Sequence, residues 1–204
     1  MTDRRPARAL AALMLGAAIA LSACSKKDAG SADTGIGLGT DTAAGMTDTM
    51  VAAPPAPLTD GNIVYVLDQA NRLDSAAGAI AATKGTNSEV REYGTRMTRD
   101  HHNLRKQGQD LATKLGVAPA APPGDRSQAD YDKTMATLNG AGKGRDFDKA
   151  YIDNEVEYHK ALLETATAAM AAAQNAELKN LIQKAAPVIQ GHLDLAQSIQ
   201  GKLQ

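Results

Sequence analysis

The chain has 204 residues, 22 basic against 23 acidic side chains for a net charge of −1, one Cys, no Trp, one Phe and five Tyr. Near neutrality with 3% aromatics leaves neither the basic footprint nor the stacking surface that nucleic-acid binding needs, and one Cys excludes an internal disulfide and any Cys-rich zinc site. At 43% hydrophobic, rich in Ala and poor in aromatics, the composition points to one all-α domain of closely packed helices.

The N-terminus reads as an address. Arg4, Arg5 and Arg8 precede the apolar, uncharged run Ala9–Ala20, and Leu21-Ser22-Ala23-Cys24 follows. This is the charged, apolar and small-residue order of a secretory signal peptide. The apolar run is too short to cross ~30 Å of hydrocarbon as a helix. Leu21-Ser22-Ala23-Cys24 resembles the bacterial lipobox, which implies that residues 1–23 are a lipoprotein signal peptide and that Cys24 becomes the lipidated N-terminus. Ser25 stands where an Asp would commonly hold a lipoprotein at the inner membrane. The resemblance therefore implies outer-membrane anchoring on the periplasmic face of a bacterial envelope. Removing residues 1–23 takes away Asp3 and three Arg, so the mature chain carries 19 basic and 22 acidic residues, a net charge of −3. Its partner is then the membrane through acyl chains rather than through a polybasic patch.

Residues 24–58 are rich in Gly, Ala, Ser, Thr, Asp and Pro without a sustained period and read as a disordered tether. Gly35-Ile36-Gly37-Leu38-Gly39 lacks the flanking strand and helix of a nucleotide loop. Helical periodicity begins at residue 59. The first long helix is predicted over Asp60–Lys84, with the stripe Ile63, Leu67, Ala70, Ala77 and Ala81. After Gly85, Thr86-Asn87-Ser88-Glu89 has capping-box form. The second helix then runs to about Leu115 through Val90, Tyr93, Met97, Leu104 and Leu111. Pro119 to Gly124 breaks the pattern, and Ser127–Asn139 reads as a short extra helix. The glycines around Lys143 miss the Walker pattern at both ends, with Thr137 and Gly144 where Gly and Ser or Thr belong. The third long helix is predicted over about Asp146–Ala173, with Phe147, Tyr151, Ile152, Leu162, Leu163, Ala166 and Met170 on one side. Asn175 caps the fourth, which Pro187 should kink. Short turns make the pairs one–two and three–four antiparallel hairpins. About thirty residues between helices two and three suffice to travel the bundle's length, which predicts a ferritin-like four-helix bundle with one long crossover over residues 59–204.

Each long helix places an ionisable residue in its own apolar stripe. His101 falls in the core row of helix two, Glu155 and His159 lie one turn apart on the inner face of helix three, His192 is inside helix four, and Asp74 sits between Ala70 and Ala77. His102, about 100° from His101, should be solvated. Counted from the first turn, Asp74 and His101 differ in level by roughly 6 Å; counted from the second, His159 and His192 differ by roughly 3 Å. With the two hairpins stacked level, all four helices direct a polar residue at the same middle layer. Three imidazoles with one or two carboxylates could hold zinc, copper or iron, and could equally form a buried hydrogen-bonded network. Asp100 could orient His101 or be an exposed acid; Asp148, in a first helical turn, suits the helix dipole.

Met97-Thr98-Arg99-Asp100-His101, Phe147-Asp148-Lys149-Ala150-Tyr151, His159 and Ala186-Pro187…His192-Leu193 resemble the bacterial domain of unknown function 4142 family. The resemblance spans about Gly61 to Leu203 and implies a ferritin-like helical domain in an exported protein, with no activity attached. Members of that family usually carry Glu where this chain has Asp74. The Glu-x-x-His motif of di-iron carboxylate bundles is absent: Thr98, Val156 and Ile189 stand three residues before the three His. No Ser-His-Asp or Cys-His nucleophile is visible, so no catalytic residue is assigned. The reading is a lipid-anchored, non-catalytic envelope domain that could bind metal. A metal-dependent redox enzyme and a purely structural scaffold are the alternatives.

Overall fold

The computed structural model of the protein describes residues 58–204. The expected signal peptide, Cys24 and the expected tether up to residue 57 lie outside the described residues. Among the described residues there are five helices and no strand: α1 (Asp60–Lys84), α2 (Ser88–Leu115), α3 (Ser127–Gly140), α4 (Arg145–Ala172) and α5 (Ala176–Lys202). The all-α expectation holds, and the predicted boundaries lie within about two residues of these. No described helix is long and apolar enough to cross a membrane.

The helix starts follow from local polar chemistry. Thr59 and Asn62 form a reciprocal capping box at α1. The box expected from Thr86 and Glu89 is not formed. Asn87 caps α2 instead, accepting from the Glu89 and Val90 amides, because the Thr86 hydroxyl donates to Asp148. Asn175 caps α5 in the same way. Gly116 ends α2 at φ +66°, a left-handed conformation that favours glycine. The α5 helix runs unbroken through Pro187, whose ring leaves the Gln183 carbonyl without its backbone donor.

Two reciprocal clasps set the hairpins against each other. Asp148, in the first turn of α4, accepts from the Thr86 and Asn87 amides at 2.9 and 2.8 Å. Asp60, in the first turn of α1, accepts from the Gln174 and Asn175 amides at 2.8 and 3.1 Å. Each hairpin's entry helix thus holds the other hairpin's turn, and α1 and α4 run antiparallel. Asp74 lies about as far along α1 from Asp60 as His159 lies along α4 from Gln174. At ~1.5 Å per residue the two reach the same level.

The core falls into two apolar clusters. One gathers Ala81, Tyr93, Met97, Phe147, Tyr151 and Ile199; the other gathers Ile63, Val64, Ala112, Ala166, Leu178 and Ile182. Every long helix passes from one cluster to the other through a polar residue. Gly78 and Gly94 let α1 and α2 cross with their backbones close together: a Cβ on Gly78 would meet the Gly94 carbonyl oxygen at 2.6 Å. Met170, expected inward, is 40% exposed. Ala169 takes the inner position, because the stripe drifts by one residue toward the end of α4.

Candidate metal centre

Between the two clusters lie Asp74 from α1, His101 from α2, Glu155 and His159 from α4, and His192 from α5, each 0–2% exposed. All five inward assignments from the helical stripes hold, and His102 is exposed as expected. The imidazoles face one another, with ring centroids 5.6 Å apart for His101 and His159, 5.1 Å for His101 and His192, and 5.5 Å for His159 and His192. One ligand atom from each of the three lies within 4.8 Å of the other two, and the same holds for Asp74, Glu155 and His159.

Each imidazole is oriented by one outward hydrogen bond. His101 Nδ1 lies 2.9 Å from Asn71 Oδ1, and the Asn71 amide is held in that sense by donating Nδ2 to the Leu67 carbonyl at 2.7 Å. His159 Nδ1 lies 3.0 Å from the Glu155 carbonyl, one turn back in its own helix. His192 Nε2 lies 3.0 Å from Asp100 Oδ2. All three partners are oxygens, so the nitrogen facing each of them carries the proton. The remaining lone pairs are then on His101 Nε2, His159 Nε2 and His192 Nδ1. These are the nitrogens that have no hydrogen-bond partner, together with Asp74 Oδ2.

This arrangement is acceptor against acceptor. Asp74 Oδ2 lies 3.0 Å from His101 Nε2 and 3.5 Å from His159 Nε2 without a hydrogen bond to either. Burial pushes His101 down to about 4 and lowers His159 and His192 as well, so the imidazoles are neutral. For His159 the charge of Asp74, and for His192 the Asp100 hydrogen bond, work against burial without overcoming it. Burial also raises Asp74, with the neighbouring imidazoles and Glu155 opposing. A proton on Asp74 could satisfy one nitrogen but not three. Orphaned acceptors at 0–2% exposure are costly, and a cation held by the three imidazoles, or by His159 with the two carboxylates, would satisfy the acceptors of that group. The donor set therefore fits a metal.

Glu155 behaves differently. Burial, and then the charge of Asp74, hold its carboxyl well above the usual range, and the Tyr93 hydroxyl donates to it at 3.5 Å. It stands behind Asp74 and His159, and a hydrogen bond with Asp74 adds to the rise. Of the two remaining acids, Asp100 finds its partner on α5 and Asp148 keeps its first-turn place in α4. Asp100 orients His192 rather than His101, because its carboxylate faces α5 across the α2–α5 seam. Asp148 is 1% exposed but is engaged with Thr86 and Asn87 at the α1–α2 turn, where its partners are amide donors rather than imidazoles. Asn71 was missed. Its spacing of four from Leu67 and three from Asp74 puts it on the same inner face, and that was the available signal.

A family model described as "Domain of unknown function (DUF4142)" matches residues 45–199. No curated protein matches the chain. The chain is similar to a solved structure described as "Crystal structure of DUF305 fragment from Deinococcus radiodurans", with a TM-score of 0.60 and 12% identity, covering 73% of this chain and 99% of that one. At that identity the likeness concerns the fold alone.

Proposed function

The chain belongs to the DUF4142 family, and on that premise we propose that its helical domain binds one transition-metal cation in the bacterial cell envelope. The observation that carries the reading is the set of four orphaned acceptors. The ligands are His101 Nε2, His159 Nε2, His192 Nδ1 and Asp74 Oδ2; Glu155 supports them without ligating. Neutral imidazoles with one carboxylate suit zinc, copper or iron. Four protein donors fill the coordination of a structural site and leave no open position for a substrate, which favours a non-catalytic role. Once bound, the metal would supply the positive charge that the buried acceptors lack.

The two hairpins and the long α2–α4 connection, with α3 within it, are read as a ferritin-like four-helix bundle. The similarity to the DUF305 fragment supports that arrangement. The lipobox-like Leu21-Ser22-Ala23-Cys24 supports anchoring of the domain through acylated Cys24 at the periplasmic face of the outer membrane.

The test is elemental analysis of the full chain after incubation with zinc, copper and iron salts. One equivalent of a retained metal, lost in His159→Ala, is the expected result; a folded wild-type protein that retains none would contradict the reading. For the anchor, Cys24→Ala should move the protein out of the membrane fraction, and its persistence there would contradict the lipid assignment.

A further inference from the structure

An open groove of about 460 Å³ lies between α1 and α2, on the side where the chain leaves α2. Val64, Tyr65, Ala112, Val117 and Pro119 give it an apolar wall at one end, and Gln69 and Gln109 lie toward the other. The bordering segment after α2 is tied to the first turn of α1. The Ala120 amide donates to the Gly61 carbonyl at 3.0 Å, and Asn62 Nδ2 donates to the Ala120 carbonyl at 2.9 Å. Among the described lining residues Asp68 is the one charged group, and Arg105 pairs with it at 2.9 Å. The groove therefore suits an uncharged, apolar occupant.

Three observations point to the chain's own N-terminal segment. Leu58, the first described residue, packs on the same apolar cluster as Val117, so the preceding chain arrives at the apolar end of the groove. The family match starts at residue 45, well before Leu58, so the sequence shared with the family reaches past the start of α1. From Thr49 to Thr59 the chain carries no charge, and Val51-Ala52-Ala53-Pro54-Pro55-Ala56-Pro57 is apolar throughout. Proline-rich segments favour polyproline II, at ~3.1 Å per residue and with no internal hydrogen bonds. From Gly61 to Gln69 α1 rises about 12 Å at ~1.5 Å per residue, so about four polyproline residues match the groove's length. Such segments dock on apolar grooves with an aromatic wall, because little conformational entropy is left to lose. Tyr65 supplies the ring. Gln69 and Gln109 each donate one amide proton to Asp68 and have a second to give to a polyproline carbonyl.

We propose that residues 50–57 of the same chain lie in this groove, so that the folded unit begins near residue 50 rather than at Leu58. The segment runs back along α1, with its prolines against Tyr65 and Pro119 and its carbonyls toward Gln69 and Gln109. Taken with the lipid anchor proposed above, Cys24 then holds the domain through residues 25–49 alone, and the α1–α2 face carries the point of attachment.

The test is elastase digestion of the metal-free full chain, read by mass spectrometry. Elastase cuts after small side chains, so Ala43 and Ala44 report the chain before the docked segment and Val51 and Ala52 report the segment itself. A synthetic peptide of residues 40–58 gives the intrinsic ratio of the two. Cleavage follows the undocked fraction when docking is fast, so Val51 and Ala52 should be cut about tenfold or more slowly in the chain than that ratio predicts. Thr113→Glu adds bulk and charge at an exposed helical position in the groove and should restore the peptide's ratio. Pro55→Asp, read against a peptide with the same change, should do so without altering the helices. Gln197→Glu, exposed on α5, should leave the protection in place.

Equal ratios in the wild-type chain and the peptide would overturn the proposal, as would protection that persists in folded Thr113→Glu. Should that variant fail to fold, persistence in Pro55→Asp would overturn it. Protection that fades on dilution would put a second copy's segment in the groove and overturn the same-chain assignment.

Discussion

Asn71 joins two parts of the account, because it holds the backbone with one end of its amide and His101 with the other. Asn71→Leu keeps the side chain's approximate size and removes the acceptor. His101 is fully buried, so its Nδ1–H is left without a partner. Such a group costs about 1–3 kcal/mol. In a domain of this size each kcal/mol lowers Tm by roughly 2–4 °C. The second effect is on the tautomer. Without Asn71 the imidazole can place its proton on Nε2, where it blocks ligation, and loss of such an orienting partner lowers metal affinity by about 10–100-fold. Thermal unfolding in chelator reads the first effect, and competitive Co²⁺ titration reads the second. Asn71→Asp retains an oxygen facing His101 Nδ1 and should restore binding. Equal metal affinity in Asn71→Leu and wild type would refute the orientation argument, whatever happens to Tm.

Two further outcomes concern pH and packing. His101 titrates near 4 in the folded chain, against about 6.5 when unfolded, so the unfolded state binds more protons between those values. Its contribution to metal-free stability is complete above ~6.5 and is lost as pH falls toward 4, about 3 kcal/mol in all. His159 and His192 act in the same direction. The raised carboxyl of Glu155 acts oppositely, since holding it buried costs more as pH rises above its unfolded value. Glu155→Gln should therefore stabilise the metal-free chain to denaturant at pH 8 and leave it unchanged near pH 4; destabilisation at both would contradict the assignment. Gly78→Ala drives a methyl to 2.6 Å from the Gly94 oxygen and 2.8 Å from Met97 Cβ, and overpacking of this kind costs about 1–3 kcal/mol. A wild-type denaturation midpoint would show that α1 and α2 do not cross so closely.

Helical period carried most of this structure. Rows of apolar residues at three- and four-residue spacing located every long helix and put Asp74, His101, Glu155, His159 and His192 on inner faces, because a helix rotates each position by a fixed angle. Contacts between helices were not legible in that way. Spacing leaves Asp100 open between orienting its neighbour His101 and facing solvent, whereas its partner, His192, is 92 residues away. Asp148 read as a dipole residue, and its burial under the Thr86 turn depends on how one hairpin docks on the other. Thr86 and Glu89 had the form of a capping box, but the hydroxyl was drawn to Asp148 and Asn87 took the cap. Which nitrogen of each His remained free depended on Asn71, the Glu155 carbonyl and Asp100. Those partners fix the site's chemistry, and none is visible from spacing alone.

X-ray absorption of the zinc-loaded full chain reads the donors of the central site directly. The account requires three imidazole nitrogens and one carboxylate oxygen at about 2.0–2.2 Å, with imidazole scattering reduced in His101→Ala, His159→Ala and His192→Ala alike. Zinc bound without imidazole scattering, or with a donor shell that none of the three substitutions alters, would contradict it.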